Sequence, residues 1–189
     1  GFADDPDDVA ETVRLAREVG LSGCSIEDTQ MLTGNPSYDF DLAVDRIRAS
    51  VDAARSLSEP FVLCARADGV MNGTYDTAEA IRRIRAFERA GADLLYVPSL
   101  PNVSGLERIV AAVTKPVNAL AVGALSQISF DQFSSIGVRR ISVGSAIARL
   151  THGVIWDSVR AMLNDGEFKT LKNAANSNEI DQLLINGKG

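Results

Sequence analysis

The chain has few of the residues that mark disulfide scaffolds or histidine-dependent enzymes. It contains two cysteines, Cys24 and Cys64, and one histidine, His152, in 189 residues. Both cysteines fall inside apolar segments, so we interpret them as buried thiols rather than a disulfide pair. His152 falls in a helical segment after the last predicted strand. A histidine-based proton relay is therefore not expected, and we expect this side chain to be structural or exposed.

Basic charge and long hydrophobic runs are also lacking. There are 19 Lys and Arg against 25 Asp and Glu, which gives a net charge of -6. An acidic balance disfavours binding to nucleic acid or to an anionic membrane. No apolar run approaches the roughly 20 residues needed to cross a bilayer. No signal peptide is visible, so we expect a cytoplasmic protein.

Short apolar runs are what the chain does have, and each ends in polar or turn-forming residues. Such runs are typical of strands that are buried on both faces of a parallel sheet. Segments with helical periodicity lie between them, and Gly20, Gly91 and Gly137 each precede a strand. The five predicted strands are residues 23–27, 61–65, 93–97, 116–121 and 140–143.

This alternation predicts an α/β fold with its chemistry at the C-terminal ends of the strands, as in an α/β barrel. A closed barrel has eight strands and typically about 250 residues. Five strands leave two alternatives: an open doubly wound sheet, or a barrel whose first three βα units precede Gly1. No linker or low-complexity tract interrupts the chain. We therefore expect one domain over residues 1–189, with small terminal helices from about residue 168.

Charged residues at the ends of two neighbouring predicted strands form the main candidate site. Glu27 and Asp28 end the first strand, and carboxylate oxygens are ligands that Mg²⁺ prefers. Arg66 ends the second strand, and a guanidinium grips a carboxylate in a fork or stabilises an enolate-like oxygen. A purely structural pairing of Arg66 with Glu27 or Asp68 is the alternative.

Weaker candidates follow the later strands. Ser99 lies directly after the third strand. Gly144 and Ser145 begin a helix after the last strand, where backbone N–H groups are able to bind an anion. Together with the Gly123–Ser126 loop, this position allows an alternative function, a different barrel enzyme that binds a phosphorylated substrate. A plain tight turn is the other interpretation.

Three segments carry a family resemblance: Ser25–Asp28, Ala65–Asp68 and Lys115–Asn118. In this order and spacing, supported by residues 90–93 and 137–144, the chain resembles the isocitrate lyase/phosphoenolpyruvate mutase superfamily. The resemblance implies a (β/α)8 TIM barrel, of which this chain represents the last five βα units. It also implies that the acids chiefly responsible for metal binding lie upstream of Gly1.

The same resemblance implies a Mg²⁺-dependent enzyme, with Mn²⁺ as a possible substitute. Members make or break C–C or P–C bonds in small 2-oxo or 2-hydroxy carboxylates through an enolate-like intermediate. By resemblance, Glu27 and Asp28 supply part of the metal shell, while Arg66 and Glu27 are catalytic. Arg66, Asn118, Ser99 and Gly144 are the expected substrate-binding residues. A homo-oligomer assembled through terminal helices is also implied.

One departure narrows the expected reaction. The superfamily's C–C lyases carry a cysteine on the loop after the fourth barrel strand, and the matching loop here, residues 29–39, has no Cys, Lys or His. The cysteine-dependent lyase mechanism is therefore disfavoured, with Tyr38 or Asn35 as a substitute polar group. A non-catalytic interaction module derived from a barrel is the remaining alternative.

Overall fold

The computed structural model describes residues 3–30, 34 and 36–187. Its five strands fall where the apolar runs predict them. They are β1 (Gly23–Glu27), β2 (Val62–Arg66), β3 (Leu94–Tyr96), β4 (Val117–Leu120) and β5 (Arg140–Ser142).

Eight α-helices alternate with or follow these strands in the described part of the chain. They are α1 (Pro6–Glu18), α2 (Phe40–Arg55), α3 (Gly69–Asn72), α4 (Thr77–Arg89), α5 (Val103–Ala111), α6 (Phe130–Ile136), α7 (Ala146–Arg160) and α8 (Ser177–Asn186). Short 3-10 helices cover Gly123–Gln127 and Lys169–Asn173, and a π-helical turn covers Ala161–Asp165.

The chain divides into two compact units, Gly1–Val143 and Gly144–Gly189. The first unit contains the whole sheet and helices α1 to α6. The second contains α7, α8 and the short helices between them, and none of these elements has a buried residue. The assignment of residues 1–189 to a single domain stays a prediction.

All five strands are parallel and lie in the order β1-β2-β3-β4-β5. A doubly wound sheet reverses its strand order at a switch point, whereas a barrel adds each strand beside its predecessor. The observed order therefore disfavours the open doubly wound alternative.

The two faces of the sheet differ in what they pack against. Alternate strand residues, among them Ile26, Leu63, Leu95 and Ala119, join the helices in one hydrophobic core. The helices of the first unit contribute to that core through residues such as Val13, Ile47, Ile84, Leu106 and Phe133. Because successive side chains in a strand point to opposite faces, the residues between them line the other face. That face carries Glu27, Arg66 and Asn118, beside a small apolar cluster of Cys64, Leu94 and Tyr96.

Local signals explain where most helices begin and end. Asp5 and Asp76 cap α1 and α4 through side-chain bonds to backbone N–H groups. Ser129 caps α6 in a capping box with Gln132. The sequence does not predict α3, because four residues are too few to show helical periodicity.

The described helices contain none with the length and apolar character required to cross a membrane.

Candidate active site

Glu27 and Arg66 are the last residues of neighbouring parallel strands and are paired in register. Nη1 of Arg66 lies 2.9 Å from Oε1 of Glu27, and both side chains are mostly buried, with 23% and 17% of their surface exposed. Strand ends of the same polarity meet at one edge of a parallel sheet. The structure therefore places these two side chains together at the C-terminal rim, as the sequence predicts.

A second carboxylate grips the other side of the Arg66 guanidinium. Nε donates to Oδ1 of Asp68 at 3.1 Å, and Nη2 donates to Oδ2 at 2.9 Å. This is the bidentate fork that arginine forms with a carboxylate. The Arg66 guanidinium also lies over the ring of Tyr96, 5.1 Å from its centroid. Arg66 is thus held in one orientation by three neighbours.

The charges around Arg66 set its protonation and that of Asp68. Burial opposes the charge on Arg66, but the carboxylates of Asp68 and Glu27 outweigh it and raise the pKa of the guanidinium. Burial also raises the pKa of the Asp68 carboxyl to about 6, an increase that Arg66 partly offsets. At neutral pH the fork is therefore a charged pair.

Asp28 follows Glu27 in sequence but occupies a different environment. It is only 2% exposed. Its Oδ1 accepts the backbone N–H of Asp68 at 2.8 Å, while its Oδ2 accepts from the Tyr75 hydroxyl at 2.6 Å and Nη1 of Arg83 at 3.0 Å. Three donors from later parts of the chain thus engage both of its oxygens.

The chemistry of the rim fits part of a magnesium shell, because carboxylate oxygen is the ligand that the ion prefers. Over residues 3–30, 34 and 36–187, no group of three or more His, Cys, Asp or Glu side chains is arranged to hold a metal ion. Metal binding by Glu27 and Asp28 stays a prediction. The geometry favours Glu27, since it is the more exposed of the two and Asp28 is enclosed by its donors.

Asn118 lies on the same face of the sheet as Arg66 but is only 1% exposed. Its Oδ1 accepts from Nε of Arg140 at 2.9 Å, and its Nδ2 donates to the Ser142 hydroxyl at 2.9 Å. Register pairing places Glu27, Arg66, Tyr96, Asn118 and Arg140 in one row across the five strands. The amide of Asn118 is thus oriented by two neighbours, and its contact with substrate stays a prediction.

Ser99 and Gly144 occupy turn positions after their strands. Ser99 is exposed and has φ 56°, a left-handed conformation that non-glycine residues adopt only when the surroundings impose it. Gly144 has φ 52° and begins the second compact unit, followed by the start of α7. Their substrate-binding roles stay predictions.

The loop after β1 is joined to its neighbours at its base. Thr29 and Ser37 form an antiparallel bridge. The Ser37 hydroxyl lies 2.6 Å from that of Thr74, and Asn72 donates to the Thr29 hydroxyl at 3.2 Å. The base of this loop is therefore connected to the loop that follows β2.

The two polar residues suggested as substitutes for a loop cysteine differ in what the structure records. Tyr38 is buried, its hydroxyl donates to Asp4, and Arg46 lies 4.2 Å from its ring centroid. Burial, with the Asp4 hydrogen bond, raises the pKa of Tyr38 to about 12, so the hydroxyl is protonated at neutral pH. Asn35 lies outside the described residues.

Cys64 and His152 are placed as the sequence suggests, whereas Cys24 is less buried than predicted. Cys64 is buried and Cys24 is half-buried, and both are free thiols. Burial raises the pKa of Cys64 to about 11, which keeps this thiol protonated and unreactive. His152 is exposed on α7.

Sequence reasoning missed two groups that organise the rim, Tyr75 and Arg83. The available signal was the position of Arg83 in α4. It lies within the apolar stripe of Ala80, Ile84 and Phe87, where a charged side chain becomes buried and needs a partner. Nothing in the sequence identifies Asp28, 55 residues earlier, as that partner.

Together these features define the class of protein. Parallel strands in sequential order, with charged side chains gathered at their C-terminal ends, are typical of α/β barrels, whose active sites lie at that rim. The family described as Phosphoenolpyruvate phosphomutase matches residues 1–163. The chain belongs to this family, within the phosphoenolpyruvate mutase/isocitrate lyase superfamily, and the resemblance inferred from the three motifs is confirmed.

Individual relatives agree with this assignment. The chain is 29% identical over 174 residues to the "Probable 2-methylisocitrate lyase 2" of Corynebacterium glutamicum, covering 88% of this chain and 55% of that protein. It is 32% identical over 144 residues to the oxaloacetate decarboxylase of Paraburkholderia xenovorans, covering 73% of this chain and 46% of that protein. The chain thus spans about half the length of the curated relatives it matches.

A solved structure has the same fold over nearly the whole chain. The crystal structure of a "putative lyase/mutase" from Burkholderia cenocepacia J2315 superposes with a TM-score of 0.89 at 38% identity. The superposition covers 97% of this chain and 66% of that one. The family is one of enzymes, since its named members are lyases and phosphomutases.

Proposed function

We propose that the protein is a Mg²⁺-dependent lyase or mutase-type enzyme acting on a small 2-oxo or 2-hydroxy carboxylate through an enolate-like intermediate. The observation that carries this proposal is the Arg66 guanidinium, fixed at the C-terminal rim between Glu27 and Asp68. Family membership supports the reaction class. The five parallel strands would form part of a (β/α)8 barrel, as the strand order and the superposed fold suggest.

Arg66 would stabilise the negative charge that develops when a bond next to the carbonyl group breaks. An enolate places charge on the former carbonyl oxygen, and a pre-oriented guanidinium stabilises that charge without reorganising. The fork with Asp68 and the contact with Tyr96 provide the orientation. Asp68 and Glu27 also keep Arg66 charged in a mostly buried setting.

Glu27 would supply one oxygen ligand or water contact to the divalent ion, with Mn²⁺ as a possible substitute. When bound, the ion supplies Lewis-acid stabilisation of oxygen charge on the substrate. The loop of residues 29–39 would cover the bound acid and exclude water. Since this loop has no cysteine, the reaction would proceed without a cysteine as general acid. Decarboxylation, retro-aldol cleavage and P–C rearrangement all remain within the proposal.

The decisive experiment replaces Arg66 in the full-length protein. With Mg²⁺ and a panel of 2-oxo and 2-hydroxy acids, Arg66→Ala should lower kcat/KM by roughly 10²- to 10³-fold, the loss typical of removing one preorganised charge stabiliser. Arg66→Lys should restore little, because an ammonium cannot reproduce the fork.

Arg55→Ala is the matched control. Arg55 also pairs with a carboxylate, that of Asp93, at 2.5 Å. However, half of its side chain is exposed, and it is the last residue of α2. Its replacement should leave turnover unchanged. Full Mg²⁺-dependent turnover in Arg66→Ala would remove the proposed function.

A further inference from the structure

The buried carboxylate of Asp28 binds three groups that are far from it in sequence. The backbone N–H of Asp68, the hydroxyl of Tyr75 and the guanidinium of Arg83 all point at its two oxygens. A buried carboxylate that accepts several donors is a rigid junction, because each donor is expensive to leave unpaired. Asp28 therefore ties the end of β1 to the segment between β2 and α4.

Arg83 supplies the charge that balances this junction. Its side chain is 7% exposed, and Nη1 lies 3.0 Å from Oδ2 of Asp28. Its Nε also donates to Oε1 of Glu79 at 2.9 Å, one turn earlier on α4. Two carboxylates thus fix the direction of the guanidinium, and Asp28 does not need Arg66 as a counter-ion.

Tyr75 supplies the third donor to Asp28. A Cβ added to Gly69 would lie 2.1 Å from Cε1 of Tyr75, so the ring occupies space that only glycine leaves open. The Tyr75 hydroxyl reaches Asp28 from this position, and the ring lies 4.8 Å from the Arg83 guanidinium. The segment after β2 is therefore packed down onto Asp28 at both Asp68 and Tyr75.

The Asp28 carboxylate reaches the rim through the backbone N–H of Asp68, whose own carboxylate forms the fork on Arg66. The direct bond between Asp28 and Arg66 belongs to the strand ladder, in which the Asp28 N–H donates to the Arg66 carbonyl at 3.2 Å, and it does not involve the guanidinium. A shift of the Asp68 backbone would rotate that fork, and with it the guanidinium. Precise placement of such a group is worth one or more orders of magnitude in rate.

We propose that Asp28 and Arg83 are positioning residues for Arg66, acting through the backbone and carboxylate of Asp68. The inference rests on the proposed function, in which Arg66 binds the substrate. It assigns to Asp28 a role in orienting the substrate-binding arginine, and it adds a residue on α4, Arg83, to the groups on which turnover depends.

The test measures oxalate binding in the presence of Mg²⁺ by titration calorimetry, together with kcat and KM, in the full-length protein. Oxalate is a planar dianion that mimics the enolate of a 2-oxo acid. Arg83→Met should weaken oxalate binding and lower kcat by at least about tenfold, the loss typical when a supporting partner is removed. Arg83→Lys should recover much of both, because it restores the charge beside Asp28.

Arg82→Met is the control. Arg82 is adjacent on α4 and pairs with the same Glu79, but 56% of its side chain is exposed and it has no bond to Asp28. It should change neither quantity. Tyr75→Phe, which removes one donor to Asp28 and keeps the ring over Gly69, should give a smaller loss and serves if Arg83→Met does not fold.

The double variant Arg66→Lys with Arg83→Met separates positioning from general destabilisation. If Arg83 acts through Arg66, the double variant should bind oxalate no more weakly than Arg66→Lys alone. Additive losses, or normal binding in Arg83→Met and Tyr75→Phe, would overturn the inference and leave the proposed function intact. Normal binding in Arg66→Lys would instead overturn the proposed function, and this inference with it.

Discussion

Asp68 joins the ionisation state of the rim to the stability of the fold. Burial raises the pKa of its carboxyl to about 6, above the usual range of an aspartate. A carboxyl whose pKa is higher in the folded than in the unfolded state binds its proton more tightly when folded. Its contribution to the free energy of unfolding is therefore largest below the unfolded pKa and is lost as pH rises to about 6.

This gives a pH prediction for Asp68→Asn. The difference in unfolding free energy, wild type minus variant, should fall as pH rises from 4 to 6, by up to roughly 1.4 kcal/mol per pH unit. Above that window it should be flat. Denaturant unfolding at a series of pH values measures it, and parallel curves for the two proteins would contradict the assignment.

The same residues explain what sequence reasoning was able to predict at the site. Glu27 and Arg66 end adjacent apolar runs, and parallel strands bring such ends together, so their proximity follows from local pattern and one topological rule. Asp28 has the same local signal as Glu27 but a different partner set. Its donors, Tyr75 and Arg83, come from 47 and 55 residues later, and only tertiary packing determines that they meet.

At the scale of helices and strands, local rules account for most boundaries. Glycines at 20, 91 and 137 have φ of 87°, 103° and 101°, which explains why helical patterns stop there. The exception is α3, since four residues give no readable periodicity. The position of α3 depends on the contact between Gly69 and the Tyr75 ring, because only glycine leaves room for that ring. Local helix propensity does not predict such a contact.

Alanine substitutions at Gly91 and Gly20 measure how much a glycine with positive φ at the end of a helix contributes to the free energy of unfolding. Both have positive φ, so alanine at either position should destabilise the fold by about 1–2 kcal/mol. At Gly91 the added Cβ would also lie 2.9 Å from Cγ1 of Val51, whereas at Gly20 it would meet nothing within 4 Å. Gly91→Ala should therefore lose about 1–3 kcal/mol more, the usual cost of overpacking.

Chemical denaturation of the two glycine variants provides this comparison, with Gly20→Ala as the control for backbone strain alone. The excess for Gly91→Ala reports the contact between the end of α4 and α2, where Val51 lies. Equal losses in the two variants would mean that Val51 moves aside without cost.

At the scale of the molecule, the two units have different surfaces. In the first unit the sheet and its helices share one hydrophobic core. This core includes the strand residues next to the rim side chains. In the second unit large apolar side chains are exposed along α7, α8 and the turns between them. The most exposed include Leu150, Trp156, Leu163, Leu183 and Leu184. Exposed apolar surface of this density is typical of an interface.

We propose on this basis that the protein is a homo-oligomer and that the second unit contributes to its interface. Replacing Leu163, which is 80% exposed, by Glu should weaken assembly, because burying an unpaired carboxylate in an apolar contact is unfavourable. The matched control is Val19→Glu, since Val19 is 77% exposed but lies at the end of α1 in the first unit.

Light scattering after size-exclusion chromatography of the full-length protein measures the outcome as a function of concentration. Leu163→Glu should lower the molar mass or raise the concentration at which the oligomer dissociates, whereas Val19→Glu should match the wild type. An unchanged mass in Leu163→Glu and in a second variant, Leu183→Glu, would contradict an interface on this unit. Turnover measured on the same samples shows whether the site at Arg66 depends on assembly, because a loss of activity confined to the dissociated species would connect the two units in function.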